Sequence, residues 1–138
     1  MPNAELVTHR SSTLRVLAVD DDPLALTLLA VMIRDADPEV DVETFPDADA
    51  ALAHARTQGA DIVFTDYQMP QLDGGAFITM LRNIRAYATV PVVVVTGAAD
   101  PSVVQRMQAL GALAVLEKPV SGDQLRPYLE QARARCGI

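Results

Sequence analysis

The sequence predicts an α/β fold: a doubly wound, five-stranded parallel sheet in the order 2-1-3-4-5, with helices on both faces in a three-layer sandwich. Three observations lead there. Short runs of continuous apolar, largely β-branched residues (Leu14–Val19, Ile62–Thr65, Val92–Val95) mark strands that are covered on both faces. Segments of helical period separate them, as right-handed βαβ crossovers require. Punctuation falls at the junctions: Asp22-Pro23 and Asp100-Pro101 each place a cap before a proline at the first helical position.

Met1–Ser12 mixes Pro, Asn, Thr, His and Ser without period and reads as a disordered lead-in. Residues 1–13 therefore form an extension and 14–136 the folded domain. A helix over Pro23–Asp35 follows the first strand. Val40–Phe45 alternates apolar and polar residues, which predicts an edge strand with one wet face. The second helix spans Ala48–Gln58, with Gly59 at its end. Pro70 stops the chain after the third strand, and Asp73-Gly74 supplies turn chemistry before a helix over Gly75–Arg85. The apolar run Val90–Val95 leads to a helix over Ser102–Leu110 closed by Gly111. Ala114–Leu116 is the last strand and Gly122–Arg135 the last helix, where Pro127 falls near the first turns and shifts the start or kinks it. No repeat, low-complexity segment or linker to a second domain is visible.

A chain of 138 residues suits one domain with a substantial core, and at 50% hydrophobic but 4% aromatic that core must be aliphatic. A net charge of −7 argues against a nucleic-acid backbone as partner. The polar N-terminus lacks the apolar centre of a signal peptide, and the longest apolar run is too short to span a bilayer. A soluble, cytoplasmic protein with no membrane contact is expected. The lone Cys136 makes neither an intramolecular disulfide nor a metal site.

Four strands end in polar groups. Asp20-Asp21-Asp22 follows the first, Asp66 the third, Thr96 ends the fourth and Lys118-Pro119 follows the fifth. Carboxylates, a hydroxyl and an ammonium thus meet at one edge of the sheet, where open α/β folds bind ligands. These are the groups needed to hold a divalent metal and a phosphoryl group. Each has a plainer reading. Asp22 suits a helix cap better than a metal, Thr96 suits a strand, Lys118 suits a surface, and His54 reads as a solvated helix position rather than a phospho-donor.

In that order and spacing, Val19-Asp20-Asp21-Asp22-Pro23, Thr65-Asp66-Tyr67-Gln68-Met69-Pro70 with Asp73-Gly74, Val95-Thr96-Gly97 and Glu117-Lys118-Pro119 resemble the response-regulator receiver domain of two-component signalling. The resemblance covers roughly Leu14 to Arg135 and implies a flavodoxin-like, chemotaxis-regulator-like fold in a bacterial phosphorelay protein. It implies that Asp66 accepts a phosphoryl group from a sensor histidine kinase or phosphotransfer protein. Asp21, Asp66 and the Gln68 backbone carbonyl would ligate Mg²⁺, with Asp20 acting through water. Thr96 and Lys118 would contact the transferred phosphoryl oxygens, and the Lys118-Pro119 peptide would be cis. Such a protein is no enzyme beyond its own phosphorylation and dephosphorylation. It signals through the surface around helix 4, strand 5 and helix 5. The expected output is a contact in trans with a downstream protein target, alongside a phosphorylation-dependent homodimer. One departure stands out: Val115 occupies the place, three residues before the lysine, where the family often carries a switching Tyr or Phe.

Two rivals remain at this level. A haloacid-dehalogenase-like phosphatase would use Asp20 as nucleophile and Asp22 as general acid, but it leaves Asp66 unexplained. A degenerate receiver would act only as a binding module, yet every acidic, hydroxyl and ammonium group is in place.

Overall fold

The structure, a computed structural model, describes residues 13–97 and 99–138. The expected lead-in Met1–Ser12, with His9, and Ala98 lie outside the described residues. The strands are β1 (Leu14–Val19), β2 (Val40–Phe45), β3 (Ile62–Thr65), β4 (Val92–Thr96) and β5 (Ala114–Glu117). The helices are α1 (Pro23–Ala36), α2 (Ala48–Ala55), α3 (Gly74–Arg82), α4 (Pro101–Ala109) and α5 (Gly122–Cys136). All neighbouring strands pair in parallel, in the order β2-β1-β3-β4-β5. The predicted fold class is the one observed.

Alternation along the strands sorts the core into two halves. Leu17, Val19, Val63, Val92 and Val94 face α2, α3 and α4, packing on Ala51, Leu52, Phe77, Leu81 and Met107. Val16, Ala18, Ile62, Phe64, Val93 and Val95 face α1 and α5, packing on Leu26, Leu29, Ile33, Leu125 and Leu129. β1, β3 and β4 are buried on both faces, as their apolar runs demand, whereas the edge strand β2 buries Val42 and exposes Asp41 and Glu43.

The predicted caps Asp22 and Asp100 are found, and further caps join them. Asp22, Asp47, Asp73 and Asp100 accept backbone N–H groups at the starts of α1 to α4, and Ser121 with Gln124 forms a reciprocal capping box on α5. Gly111 and Gly137 close α4 and α5 at φ of 95° and 75°. Pro127 lies inside α5 without moving its start at Gly122.

Two helices end three residues earlier than expected. α2 stops at Ala55 rather than Gln58, because the buried Tyr87 hydroxyl donates to the Gln58 carbonyl at 2.7 Å and holds that residue in a turn. Gly59 therefore caps nothing. α3 stops at Arg82 rather than Arg85, and a 3₁₀ turn over Arg85–Tyr87 follows. Arg82 draws this segment in by donating to the carbonyls of Tyr87 and Val90 at 2.9 and 2.6 Å.

α1 and α5 are joined by charge as well as by packing. Arg133 grips Asp37 at the end of α1 through two hydrogen bonds of 2.6 and 3.0 Å and also donates to the Glu39 carbonyl at 2.8 Å. Burial pushes Asp37 up, but the Arg133 and Glu39 N–H donors outweigh it and hold the carboxyl below its usual range. A depressed carboxyl contributes stability above its ordinary pKa and loses it as pH falls through the lowered one. Arg133→Ala is therefore expected to cost about 2 kcal/mol at neutral pH. The same substitution should cost much less near pH 2, as read by urea unfolding at the two pH values.

Candidate functional site

The four polar strand ends converge because the sheet is parallel: every strand finishes at the same edge. β1 is an inner strand, between β2 and β3, so Asp20 lies between neighbours; its N–H donates to Phe45 O at 3.2 Å, and Asp66 N–H donates to Val19 O at 3.1 Å. Lys118 N–H donates to Thr96 O at 2.9 Å, which places the lysine one step past the end of β4.

Lys118 Nζ reaches Asp20 Oδ2 at 2.7 Å and Asp66 Oδ2 at 3.2 Å. Both carboxylates are buried, at 2% and 7% exposure, so the ammonium offsets a desolvation that would otherwise be severe. Burial pushes Asp20 up and that push prevails, although the Lys118 hydrogen bond opposes it. Burial pulls Lys118 down, but Asp20 and Asp66 together outweigh it and raise the ammonium's pKa.

The other oxygens are held by backbone. Asp22 N–H donates to Asp20 Oδ1 at 2.9 Å, and Tyr67 and Gln68 N–H groups donate to Asp66 Oδ1 at 2.6 and 3.3 Å. This hairpin-tight turn depends on Gly74, whose N–H donates to Tyr67 O at 2.7 Å; a Cβ there would sit 2.8 Å from Asp66 O. Asp21 is exposed beside them, and Thr96 is fully buried at the end of β4.

The sequence-predicted residues Asp20, Asp21, Asp66 and Lys118 thus lie together, with Thr96 on the adjoining strand end and Gln68 in the cleft wall. Asp22 spends its side chain on the α1 cap, accepting from Leu24 N–H at 3.0 Å. His54 is half-buried against Phe45, ring centroids 4.9 Å apart, and contributes to none of the contacts in this group. Lys118-Pro119 is cis, as the resemblance implied.

One carboxylate oxygen from each of Asp20, Asp21 and Asp66 lies within 4.8 Å of the others. Oxygens on an octahedral Mg²⁺ lie about 3 Å apart when adjacent and about 4.2 Å when opposite, so carboxylates gathered this closely can share one ion, directly or through water. Three carboxylates against one ammonium leave a surplus of two negative charges, matching a hard dication with all-oxygen ligands. The residues present therefore fit such an ion.

Sequence reading did not foresee the surface beside the site. α1 exposes Leu24, Leu28 and Val31, at 67%, 52% and 48%, on the stripe opposite its buried Leu26, Leu29 and Ile33. A groove of about 300 Å³ runs from Leu28 and Met32 to Pro119 and Val120, with Asp20 and Lys118 at its end. The signal was present in Pro23–Ile33, apolar nearly all round where a surface helix carries one apolar face.

A doubly wound parallel fold with an acidic cluster and a paired lysine on its carboxyl edge defines a class of phosphoryl- and metal-handling signalling domains. Residues 16–130 match the response regulator receiver domain family, and the chain belongs to that family. Among curated relatives, it is 32% identical to the cyclic di-GMP phosphodiesterase response regulator RpfG of Xanthomonas campestris, over 89% of this chain and 31% of that protein. It is 34% identical to the transcriptional regulatory protein PdtaR of Mycobacterium tuberculosis, over 88% of this chain and 57% of that one. The chain spans about a third of the length of the first relatives it matches. The chemotaxis response regulator CheY4 of Vibrio cholerae superposes with a TM-score of 0.77 at 30% identity, covering 87% of this chain and 98% of that one. A receiver domain of a Pseudomonas aeruginosa sensor histidine kinase, with a magnesium ion coordinated in its active-site cleft, shares the fold at 24% identity and a TM-score of 0.78, covering 88% and 98%. Family membership leaves the haloacid-dehalogenase reading without support. Among the described residues no helix is long and apolar enough to cross a membrane.

Removing the ammonium should expose the charge problem directly. Lys118→Met leaves two buried carboxylates uncompensated and is expected to cost about 3 kcal/mol in metal-free protein at pH 7. The raised Asp20 pKa sets the sign: its ionised form costs stability above the ordinary carboxylate range, and protonation relieves that cost as pH falls. The Lys118→Met deficit should therefore shrink at pH 4, read as paired denaturant midpoints.

Proposed function

We propose that this receiver accepts a phosphoryl group on Asp66 from a phosphohistidine donor, with Mg²⁺ held by Asp21, Asp66 and the Gln68 carbonyl and with Asp20 acting through water. The observation that carries the reading is the Lys118 ammonium held between Asp20 and Asp66 at the carboxyl edge of a receiver fold. Asp20 suits an indirect role, since it is the more deeply buried of the two carboxylates and Lys118 lies closer to it, at 2.7 Å against 3.2 Å for Asp66. The Tyr67 and Gln68 N–H groups fix Asp66 Oδ1 and so orient Oδ2 toward the cleft beside Lys118. An Asp66 oxygen forms the new P–O bond as the P–N bond breaks, and the donor imidazole leaves with the electron pair. When bound, the dication cancels the carboxylate surplus that would repel an incoming phosphate. Lys118 pairs with the phosphoryl oxygens, and Thr96 closes on them from the end of β4.

The donor must bring its phosphoryl group to the end of the α1 groove. We assign Leu24, Leu28, Val31 and Val120 as the apolar contact for a histidine kinase or phosphotransfer helix, because exposed apolar patches of this kind mark docking surfaces. For the output we propose the surface around α4, β5 and α5, contacting a protein target.

Acetyl phosphate with Mg²⁺ is expected to add one phosphoryl group by intact mass. Asp66→Asn should abolish it and Asp22→Asn should not; a modified peptide mapping to Asp20 would transfer the role of nucleophile. Leu28→Asp should leave the acetyl phosphate reaction intact but slow transfer from a phosphohistidine protein by at least about tenfold, since interface anchors cost upward of 1–2 kcal/mol. Equal slowing with both donors would place the defect in the site rather than in docking.

A further inference from the structure

Val115 offers no ring to swing between two positions, and it packs half-buried against the core on the face of the sheet that α2, α3 and α4 cover. A polar assembly elsewhere spans the gap between the site and α4. Tyr67 directly follows Asp66, and its N–H donates to Asp66 Oδ1 at 2.6 Å. Its phenol oxygen accepts from Arg106 Nη1, on α4, at 2.9 Å. The same guanidinium lies 5.8 Å over the Tyr67 ring and 3.6 Å from Asp73, the residue that caps α3. One α4 side chain therefore holds both ends of the loop that leaves the site, from Tyr67 to Asp73.

The packing beneath shows that this arrangement has room made for it. Gly75 is buried in the first turn of α3, and a Cβ there would lie 2.9 Å from Arg106 Nη2 and 3.1 Å from Leu110 Cδ1. Glycine weakens a helix interior, so its presence at this position is accounted for by the guanidinium lying across it. Arg106 suits the task where lysine would not. Its planar fork donates to the phenol and faces Asp73 while its guanidinium carbon stays within cation–π range of the ring, whereas an ammonium is a single point charge.

We propose that Arg106 is a positioning residue that couples α4 to the phosphorylation site through Tyr67 and Asp73. It thereby takes over the transmission that an aromatic residue at the Val115 position would otherwise supply. The inference rests on Asp66 being the phospho-acceptor. A change in charge or hydrogen bonding at Asp66 alters the acceptor of the Tyr67 N–H. The Tyr67 side chain carries that displacement to Arg106, and Arg106 carries it to α4. Each link is half-exposed, so the clamp is modest: an exposed pair shifts an equilibrium by at most about fivefold. That is enough to bias a helix poised between two positions, and too little to lock it.

The test is amide hydrogen exchange with and without beryllofluoride and Mg²⁺ on wild type, Arg106→Gln and Gly75→Ala, with loading read independently from the ¹⁹F signal of the bound fluoride. All three proteins should load. Wild type should change protection across Pro101–Ala109. In Arg106→Gln that change should fall at least roughly twofold. Gly75→Ala displaces the guanidinium without altering any member of the clamp and should reproduce the loss. It decides the matter if Arg106→Gln fails to fold. Equal α4 responses in all three, or a loaded wild type with no α4 response, would overturn the proposal. A wild type that fails to load would instead overturn the reading of Asp66, which the acetyl phosphate experiment addresses separately.

Discussion

The structure turns on one electrostatic constraint: two carboxylates are buried at the edge of an aliphatic sheet with a single ammonium between them. Asp20 and Asp66 are nearly inaccessible, and Lys118 touches both. Such an arrangement persists only if backbone donors take up the remaining oxygens, and the N–H groups of Asp22, Tyr67 and Gln68 do so. The helix cap at Asp22, the tight turn at Gly74 and the cis Lys118-Pro119 peptide all lie around this cluster. Stability and reactivity are opposed here, since the charge surplus that strains the free domain is what attracts the metal.

The division of the core explains how the site can respond without the fold giving way. α1 and α5 pack on one face of the sheet and α2, α3 and α4 on the other, and the site residues emerge from the strands between them. α1 and α5 are further held by the Arg133–Asp37 grip, whereas α4 meets the site loop through a half-exposed guanidinium. The two faces thus differ in how firmly their helices are anchored, and the looser one lies beside the segment leaving Asp66.

Much of this was legible in the sequence, and the limits of legibility have physical causes. Strands buried on both faces leave unbroken apolar runs, so β1 and β3 and the interior of β4 were readable almost to the residue. A parallel sheet delivers all its strand ends to one edge, so the site residues followed once the strands were placed. Helix ends were less readable where tertiary contacts decided them: Gln58 is held out of α2 by Tyr87, and the chain after Arg82 is pulled in by that arginine. Neither contact leaves a local trace. The Arg106 clamp was invisible for the same reason, because Tyr67 and Arg106 are 39 residues apart and meet only through the packing of α3 against α4.

The edge strand β2 carries one further consequence. Among the described residues its outer backbone has no strand partner, and Asp41 and Glu43 stand exposed along it. An open edge invites strand addition from a second sheet, and charges on that edge discourage it. Glu117 is likewise exposed on the opposite edge strand, β5. A sheet guarded at both margins resists annealing into aggregates at high concentration. It is also suited to lie beside unrelated folded neighbours in a longer polypeptide without their strands merging.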